Sequence, residues 1–164
     1  MKRLVLMRHA EAGWDHPDLS DRDRPLTKAG RSDATRMGAL LEKEGIDIDA
    51  IFCSSAERTR ETLSLFLYEY SFKVEPRYLD LLYHAEIRDY VDMLMQLSPA
   101  IESVMLLGHN PTMSGAVEFF TERYVSFSAA AIAYLEFDIE QWCELIEKPE
   151  GKLLGFWMPK KNKC

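Results

Sequence analysis

The sequence predicts an α/β fold in which a mostly parallel sheet is flanked by helices. Three short apolar runs, residues 2–7, 48–53 and 103–107, have the length and composition of buried strands. Segments with helical spacing of their apolar residues follow these runs, as expected for parallel strands joined by crossover helices. Two later runs, residues 130–137 and 152–157, have only a short segment between them, so they predict an antiparallel addition to the sheet.

Length and composition predict one globular domain over residues 1–164. Apolar residues make up 47% of the chain and charged residues 29%, which are ordinary values for a globular protein. A chain of this length can bury a substantial core. The net charge of −7 argues against non-specific binding of nucleic acid or of an acidic membrane surface. An anionic substrate therefore needs a local basic pocket.

The three cysteines, Cys53, Cys143 and Cys164, form no C-x-x-C pair, which favours a reducing compartment over a disulfide framework. Cys53 lies in an apolar run and is predicted to be a buried core residue. The chain shows no signal-peptide pattern and no apolar stretch long enough to span a bilayer, so we expect a cytoplasmic protein. Residues 160–164 are predicted to form a frayed tail.

The first predicted strand ends in a charged pair, Arg8 and His9. In open α/β sheets, ligands bind at the carboxyl ends of the strands. Arg8 offers a planar, charged fork that suits phosphate oxygens, and His9 can act as a nucleophile, base or ligand. On this dipeptide alone a basic surface loop is the favoured interpretation, and three later stretches change that balance.

Residues 13–24 form a polar stretch that contains four aspartates and His16, with Pro17 preventing regular structure. A solvated loop is favoured over a metal site because the spacing fits no standard ligand pattern. Since the stretch directly follows Arg8 and His9, we expect it to border the same pocket.

The first helix is predicted to begin after the N-cap residue Thr27 and to end near Glu44, where Gly45 stops it. The second helix opens near Arg58, and its first turn can present backbone N–H groups to an anion. An arginine there works against the helix dipole, so a purely structural role is disfavoured. Arg58 is better placed than Arg60 to reach a pocket.

Residues 73–75 are predicted as a possible short strand, and residues 79–85 as a loop that contains Tyr83 and His84. An amphipathic helix is predicted over residues 86–97.

The strand at residues 103–107 leads into His109, which stands at another strand-to-helix turn. Asn110 is predicted as the N-cap and Pro111 as the first residue of a helix that reaches Phe120. A core histidine or a simple cap residue is the alternative interpretation of His109. His109 follows a predicted strand directly, as His9 does, and this similarity argues against the alternative.

Arg8, His9, Arg58 and His109 each follow a predicted strand, so parallel strands would bring all four to one edge of the sheet. Two arginines and two histidines around one point form a receptor for a dianionic phosphoryl group. Two guanidinium groups compensate the charge of the equatorial oxygens without a metal. They also disfavour a protonated histidine, so an imidazole beside them stays nucleophilic. In-line attack would form a phosphohistidine that water later releases.

Four segments together carry a family resemblance: Leu6-Met7-Arg8-His9-Ala10, then Arg24-Pro25-Leu26-Thr27 with Gly30, then Ser54, Arg58 and Thr62, and finally Gly108-His109-Asn110-Pro111. In this order they resemble the histidine phosphatase superfamily, the branched family that includes cofactor-dependent phosphoglycerate mutases. Length and the second segment look most like the small SixA-type phosphohistidine phosphatases. The resemblance implies a three-layer, phosphoglycerate mutase-like sandwich.

The resemblance assigns His9 as the phosphorylated nucleophile. It assigns Arg8, Arg58 and His109 to phosphate binding, with His109 also stabilising the transition state. It implies a phosphatase without cofactor or metal, acting on a phosphohistidine-bearing protein or a small phosphorylated substrate. The alternatives are a phosphoester phosphatase or mutase of the same superfamily, a metallohydrolase, and a phosphate-binding module without turnover.

The chain departs from the family pattern at several positions. Mutase-like members often carry Gly where this chain has Ala10, and their usual Ser and Asn downstream are replaced by Ala12 and Asp15. Phosphoglycerate-type members place a glutamic acid in the loop that corresponds to residues 81–86. Here His84 lies closest to that slot, where we predict it to contact substrate, and Glu86 is two residues on. Both are candidates for the acid.

Overall fold

The computed structural model describes residues 1–160, so Cys164 and all of the predicted tail except Lys160 lie outside the described residues. A mixed sheet of six strands forms its centre. In chain order the strands are β1 (Lys2–Arg8), β2 (Ala50–Ser54), β3 (Arg77–Leu79), β4 (Ser103–Gly108), β5 (Ile132–Phe137) and β6 (Gly151–Trp157).

The strands lie in the order β3-β2-β4-β1-β5-β6. The pairs β1–β4, β2–β4 and β2–β3 are parallel, whereas β5 is antiparallel to both β1 and β6. The predicted parallel sheet with an antiparallel C-terminal addition is therefore confirmed. In the register of β1 and β4, Arg8 lies opposite Gly108, so both strands end at the same edge of the sheet.

Helices cover both faces of the sheet, which confirms the predicted three-layer architecture. They are α1 (Lys28–Lys43), α2 (Glu57–Glu69), α3 (Ile87–Met95) and α4 (Thr112–Thr121), with short 3₁₀ turns at Asp21–Asp23, Asp80–Leu82 and Trp142–Ile146. None of the helices among residues 1–160 combines the length and the apolar composition that a membrane span requires.

Side chains of β1 alternate between the two hydrophobic layers. Leu4 and Leu6 pack in one cluster with α3 and α4, and Val5 and Met7 pack in the other with α1 and α2. Because β1 and β4 are buried on both faces, their sequences are continuous apolar runs. Because most of β1 and β4 is inaccessible, a ligand can contact only the ends of these strands and the residues that follow them.

The predicted first helix is confirmed. The Thr27 hydroxyl accepts a hydrogen bond from the Gly30 N–H at 3.0 Å, and the helix gives way to Gly45, which adopts the left-handed conformation at φ +66°. A Cβ atom on Gly30 would overlap the carbonyl oxygen of Glu11. This close approach fixes the N-terminus of α1 against the segment that follows β1.

Two sequence predictions are wrong in detail. Residues 73–75 are not a strand; the edge strand is β3, whose mostly exposed side chains carry no apolar pattern and which forms because its backbone pairs with β2. Helix α4 begins at Thr112, with Pro111 as its N-cap, rather than at Pro111. Asn110 stands one residue earlier than predicted, although its side-chain oxygen still accepts a hydrogen bond from the Ser114 N–H at 3.2 Å.

Candidate active site

The structure brings the four predicted residues, Arg8, His9, Arg58 and His109, to one cavity of about 370 Å³ at the carboxyl edge of the parallel strands. We call it the histidine pocket; it is lined by these four residues together with Glu11, Ala12, Trp14, Arg24, Asn110 and Ala129. The rings of His9 and His109 lie 5.2 Å apart between centroids. A larger cavity, about 610 Å³ beyond the end of α2, has neither histidine nor arginine in its lining.

The ring of His9 is held in one orientation and one tautomer. Its Nδ1 atom lies 2.7 Å from the carbonyl oxygen of Ala10. Because a carbonyl can only accept, Nδ1 carries the proton and Nε2 keeps its lone pair. Burial, and secondarily the charges of Arg58 and Arg8, lower the pKa of His9 to about 4. The ring is therefore neutral at neutral pH, with Nε2 available as a nucleophile.

The backbone of His9 is also tied to its surroundings. Its N–H donates to the Gly108 carbonyl at 3.0 Å, and its own carbonyl accepts from the Ala130 N–H at 3.0 Å. The Ala10 N–H donates to the Thr62 hydroxyl of α2 at 3.0 Å. These bonds extend the sheet by one residue beyond β1, so His9 stands on rigid backbone.

His109 faces His9 from the end of β4. Its Nε2 lies 2.8 Å from the hydroxyl of Ser54, the last residue of β2. Its Nδ1 is buried and has no hydrogen-bond partner among residues 1–160. Burial, followed by the influence of His9 and Arg58, lowers the pKa of His109 to about 3. Ser54 belonged to the sequence motif, and the structure adds its contact with the second histidine.

Arg8, which is partly buried, and Arg58, which is buried, both line the histidine pocket. Arg8 Nη1 donates to the Phe127 carbonyl at 2.9 Å, and Arg58 Nη1 donates to the Asp21 carbonyl at 2.8 Å. The Nε atoms of both arginines are buried without a partner among residues 1–160. Burial lowers the pKa of Arg8 from its usual range. These groups supply positive charge and N–H donors in a region of low dielectric.

Sequence reasoning missed the third arginine of the pocket, Arg24. It comes from the polar loop of residues 13–24, which was predicted to border this pocket and does so. Its guanidinium carbon lies 3.5 Å from the ring centroid of Trp14, at the pocket mouth. Arg24 stands in the motif that carried the resemblance, and this was the only sequence signal for it.

The same loop is largely exposed to solvent, as predicted, and it contains Asp21. The Asp21 carboxylate accepts hydrogen bonds from Tyr83, Arg24 and Arg58. The Tyr83 hydroxyl, followed by the charges of Arg58 and Arg24, lowers the pKa of Asp21 to about 2. Asp21 is thus both exposed to solvent and bonded to two arginines of the histidine pocket.

A second cavity of about 220 Å³, the Tyr83 cavity, shares His109 and Asn110 with the histidine pocket. Its lining includes Tyr83 and His84, whose ring centroids are 4.1 Å apart. His84 thus lies beside the histidine pocket rather than in it. Glu86, by contrast, caps α3 by accepting from a backbone N–H and lines neither cavity.

Glu11 is the acidic residue in the lining of the histidine pocket, and its carboxylate accepts a hydrogen bond from the Thr27 hydroxyl at 3.1 Å. Among residues 1–160, no three His, Cys, Asp or Glu side chains are arranged to hold a metal ion. Cys53 is buried as predicted, and burial raises the pKa of its thiol to about 12, so it is not a nucleophile at neutral pH.

Comparison with protein families gives a match to the histidine phosphatase superfamily, branch 1, over residues 4–89. A solved structure of a candidate phosphohistidine phosphatase, SixA, from Nakamurella multipartitia superposes with a TM-score of 0.85 at 27% identity, covering 96% of each chain. An uncharacterized chloroplastic protein of Arabidopsis thaliana is 29% identical over 96% of this chain and 78% of its own length.

A different group of relatives matches only part of the chain. The 2,3-bisphosphoglycerate-dependent phosphoglycerate mutase of Xanthobacter autotrophicus is 44% identical over 68 residues, which are 40% of this chain and 33% of the mutase.

Proposed function

This chain belongs to branch 1 of the histidine phosphatase superfamily, and we propose that it is a phosphatase in which His9 forms a covalent phosphohistidine intermediate. The observation that carries the proposal is the state of the His9 ring. Its Nδ1–H donates to the Ala10 carbonyl, and the pKa of the ring is lowered to about 4. Its Nε2 makes no hydrogen bond among residues 1–160, and the pocket around it contains three arginines.

In the first step, a phosphoryl group binds among the guanidinium groups of Arg8, Arg24 and Arg58. Nε2 of His9 attacks phosphorus in line, so the P–N bond forms as the bond to the leaving group breaks. The arginines compensate the charge on the equatorial oxygens. The phosphorylated ring becomes an imidazolium, and its Nδ1–H bond to Ala10 then becomes charge-assisted and stronger.

In the second step, water attacks the phosphorus atom and the P–N bond breaks. The electron pair returns to Nε2, the protons of the water stay on the released phosphate, and His9 is again neutral. The low pKa of His9 favours this step because a weakly basic imidazole is a good leaving group. His109, held by Ser54, lies close enough to contact the same phosphoryl oxygens.

We further propose that the substrate is a phosphohistidine on another protein. The leaving imidazole is a much weaker base than the alkoxide of a phosphate ester, so it leaves with little help from an acid. Both carboxylates of the loop that follows β3 are engaged: that of Asp80 accepts from Arg22 and Ser55, and that of Glu86 caps α3. The likeness to the candidate SixA phosphatase supports the same substrate class.

A phosphoester phosphatase or mutase is the second candidate function. Glu11 lines the histidine pocket and could protonate an alkoxide, and His84 lines the adjoining Tyr83 cavity. The local identity to phosphoglycerate mutases points in the same direction.

The test compares kcat/KM for a phosphohistidine-bearing protein, phosphoserine and 3-phosphoglycerate under one set of conditions, with His9→Ala as the background control. The proposal expects the phosphohistidine protein to be preferred. An equal or higher value for 3-phosphoglycerate would overturn this preference. Glu11→Gln and His84→Gln would then identify the acid, because only its loss lowers ester hydrolysis while leaving P–N hydrolysis unchanged.

A further inference from the structure

The carboxylate of Asp21 connects two of the three arginines that line the histidine pocket. One oxygen, Oδ1, accepts from Arg24 at 3.1 Å, and the other, Oδ2, lies 3.2 Å from Arg58 Nη2. Arg58 Nη1 also donates to the backbone carbonyl of Asp21 at 2.8 Å. Each arginine is therefore held by its own oxygen of one carboxylate.

Tyr83 holds the same carboxylate from a third side. Its hydroxyl donates to Oδ2 of Asp21, and its ring packs edge-on to His109 with centroids 5.6 Å apart. Loop residue Asp21 is thus connected to the second histidine as well as to the arginines. These five side chains come from four segments of the chain: the loop of residues 13–24, α2, the loop that follows β3, and the end of β4.

Burial explains why this carboxylate matters. The side chains of Arg24 and Arg58 are only 11% and 8% exposed, whereas that of Asp21 is 48% exposed. Two nearly buried groups of the same charge repel each other, and a buried charge without a partner is costly. A carboxylate between them offsets the repulsion and restricts two long side chains that otherwise have many rotamers.

We propose that Asp21 is a positioning residue, which holds the guanidinium groups of Arg24 and Arg58 in alignment for the phosphoryl group in the transition state. The proposal rests on the proposed phosphatase function. Aligned donors accelerate the reaction only if they are in place before charge develops on the equatorial oxygens. The same carboxylate also repels the phosphate dianion. Asp21 therefore favours the transition state through the aligned arginines but weakens the binding of phosphate itself.

These opposite effects can be measured separately, as kcat and as inhibition by phosphate. Asp21→Asn should lower kcat for p-nitrophenyl phosphate about tenfold or more, because the arginines lose their alignment. Product inhibition by inorganic phosphate should be unchanged or tighter, since one repelling charge is gone. The matched control is Asp23→Asn, two residues further in the same turn. The Asp23 carboxylate accepts from the Ser20 hydroxyl at 2.8 Å and forms no ion pair among residues 1–160, so both constants should stay within about twofold.

Three kinetic results would overturn the proposal. A kcat within twofold of the unmodified protein would mean that the arginines align without Asp21. A raised kcat/KM would make the carboxylate a competitor of the substrate. If phosphate binding falls in parallel with kcat, the substitution has damaged the pocket in general. The melting temperature of the variant shows whether the fold is damaged as well.

A measurement independent of turnover separates this proposal from the proposed function. The side-chain Nε–H signals of Arg24 and Arg58 in NMR spectra should show restricted motion in the unmodified protein and in Asp23→Asn, and should become mobile in Asp21→Asn. Unchanged motion in Asp21→Asn overturns the positioning role. If the unmodified protein releases no phosphate from any substrate, the proposed function fails, and the NMR result still decides the role of Asp21.

Discussion

Truncation of Arg58 should weaken catalysis far more than truncation of Arg60, although both lie in the first turn of α2. Arg58 is 7% exposed and lines the histidine pocket, where its donors not used by Asp21 can reach a phosphoryl group. Arg60 lies on the outer side of the helix, where it donates to the Ser55 carbonyl at 3.0 Å and stacks on Tyr78.

The structure sets the expected size of the effect. One charge-assisted hydrogen bond to a phosphoryl oxygen is worth about 1.5–3 kcal/mol, which corresponds to roughly 10- to 150-fold in kcat/KM if it is realised fully in the transition state. Arg58→Ala should therefore lose at least about tenfold. Arg60→Ala should lose less than about threefold, because exposed arginine contacts contribute little.

The assay is steady-state hydrolysis of p-nitrophenyl phosphate by both variants, with melting temperatures to detect unfolding. Arg58→Lys is a useful third variant, since it retains the charge but not the planar fork, and it should fall between the unmodified protein and Arg58→Ala. Comparable losses in Arg58→Ala and Arg60→Ala would refute the assignment of Arg58 alone, and would mean that both arginines serve the reaction or that the wrong one was chosen.

Three further predictions concern the nucleophile and its surroundings. His9→Ala should abolish turnover without loss of fold, and rapid quenching of the unmodified enzyme should trap an acid-labile phosphate on His9; label on serine, aspartate or cysteine contradicts this. Prolonged chelation should leave the rate unchanged, because guanidinium groups already supply the positive charge, and a loss restored by one divalent ion would support the metallohydrolase alternative. NMR titration should give His9 a pKa of about 4. Since the unfolded residue titrates near 6.5, the folded state binds fewer protons between these values, so the free energy of unfolding should fall as the pH is lowered through this window; a His9 pKa near 6.5 contradicts it.

A phosphate-binding module without turnover would need the arginines of the site but not the proposed nucleophile, His9. Binding alone requires the arginines, whereas it gains nothing from a neutral histidine with a fixed tautomer at the centre of the pocket. The quenched-labelling experiment separates the two, because a binding module transfers no phosphoryl group to His9.

Five of the six strands, and the four residues at the edge of the sheet, could be predicted from the sequence alone. Strands buried on both faces need continuous apolar runs, and β1 and β4 show them directly. Arg8, His9 and His109 could be located because they follow such strands immediately, and Arg58 because an arginine at a helix start has no local structural reason to be there. Each of these features depends on neighbouring residues in the chain, so the sequence pattern is enough to predict it.

The roles of the irregular segments depend on contacts between distant parts of the chain, so they became visible only in the fold. β3 carries no apolar pattern and exists only through its pairing with β2. Glu86 caps α3 and does not line the site, whereas His84 lines the cavity beside the histidine pocket. Asp21 is joined to Arg58 across 37 residues and to Tyr83 across 62. Periodicity reports which face of an element is buried, but it carries no record of which polar side chains meet when distant loops fold over one edge of a sheet.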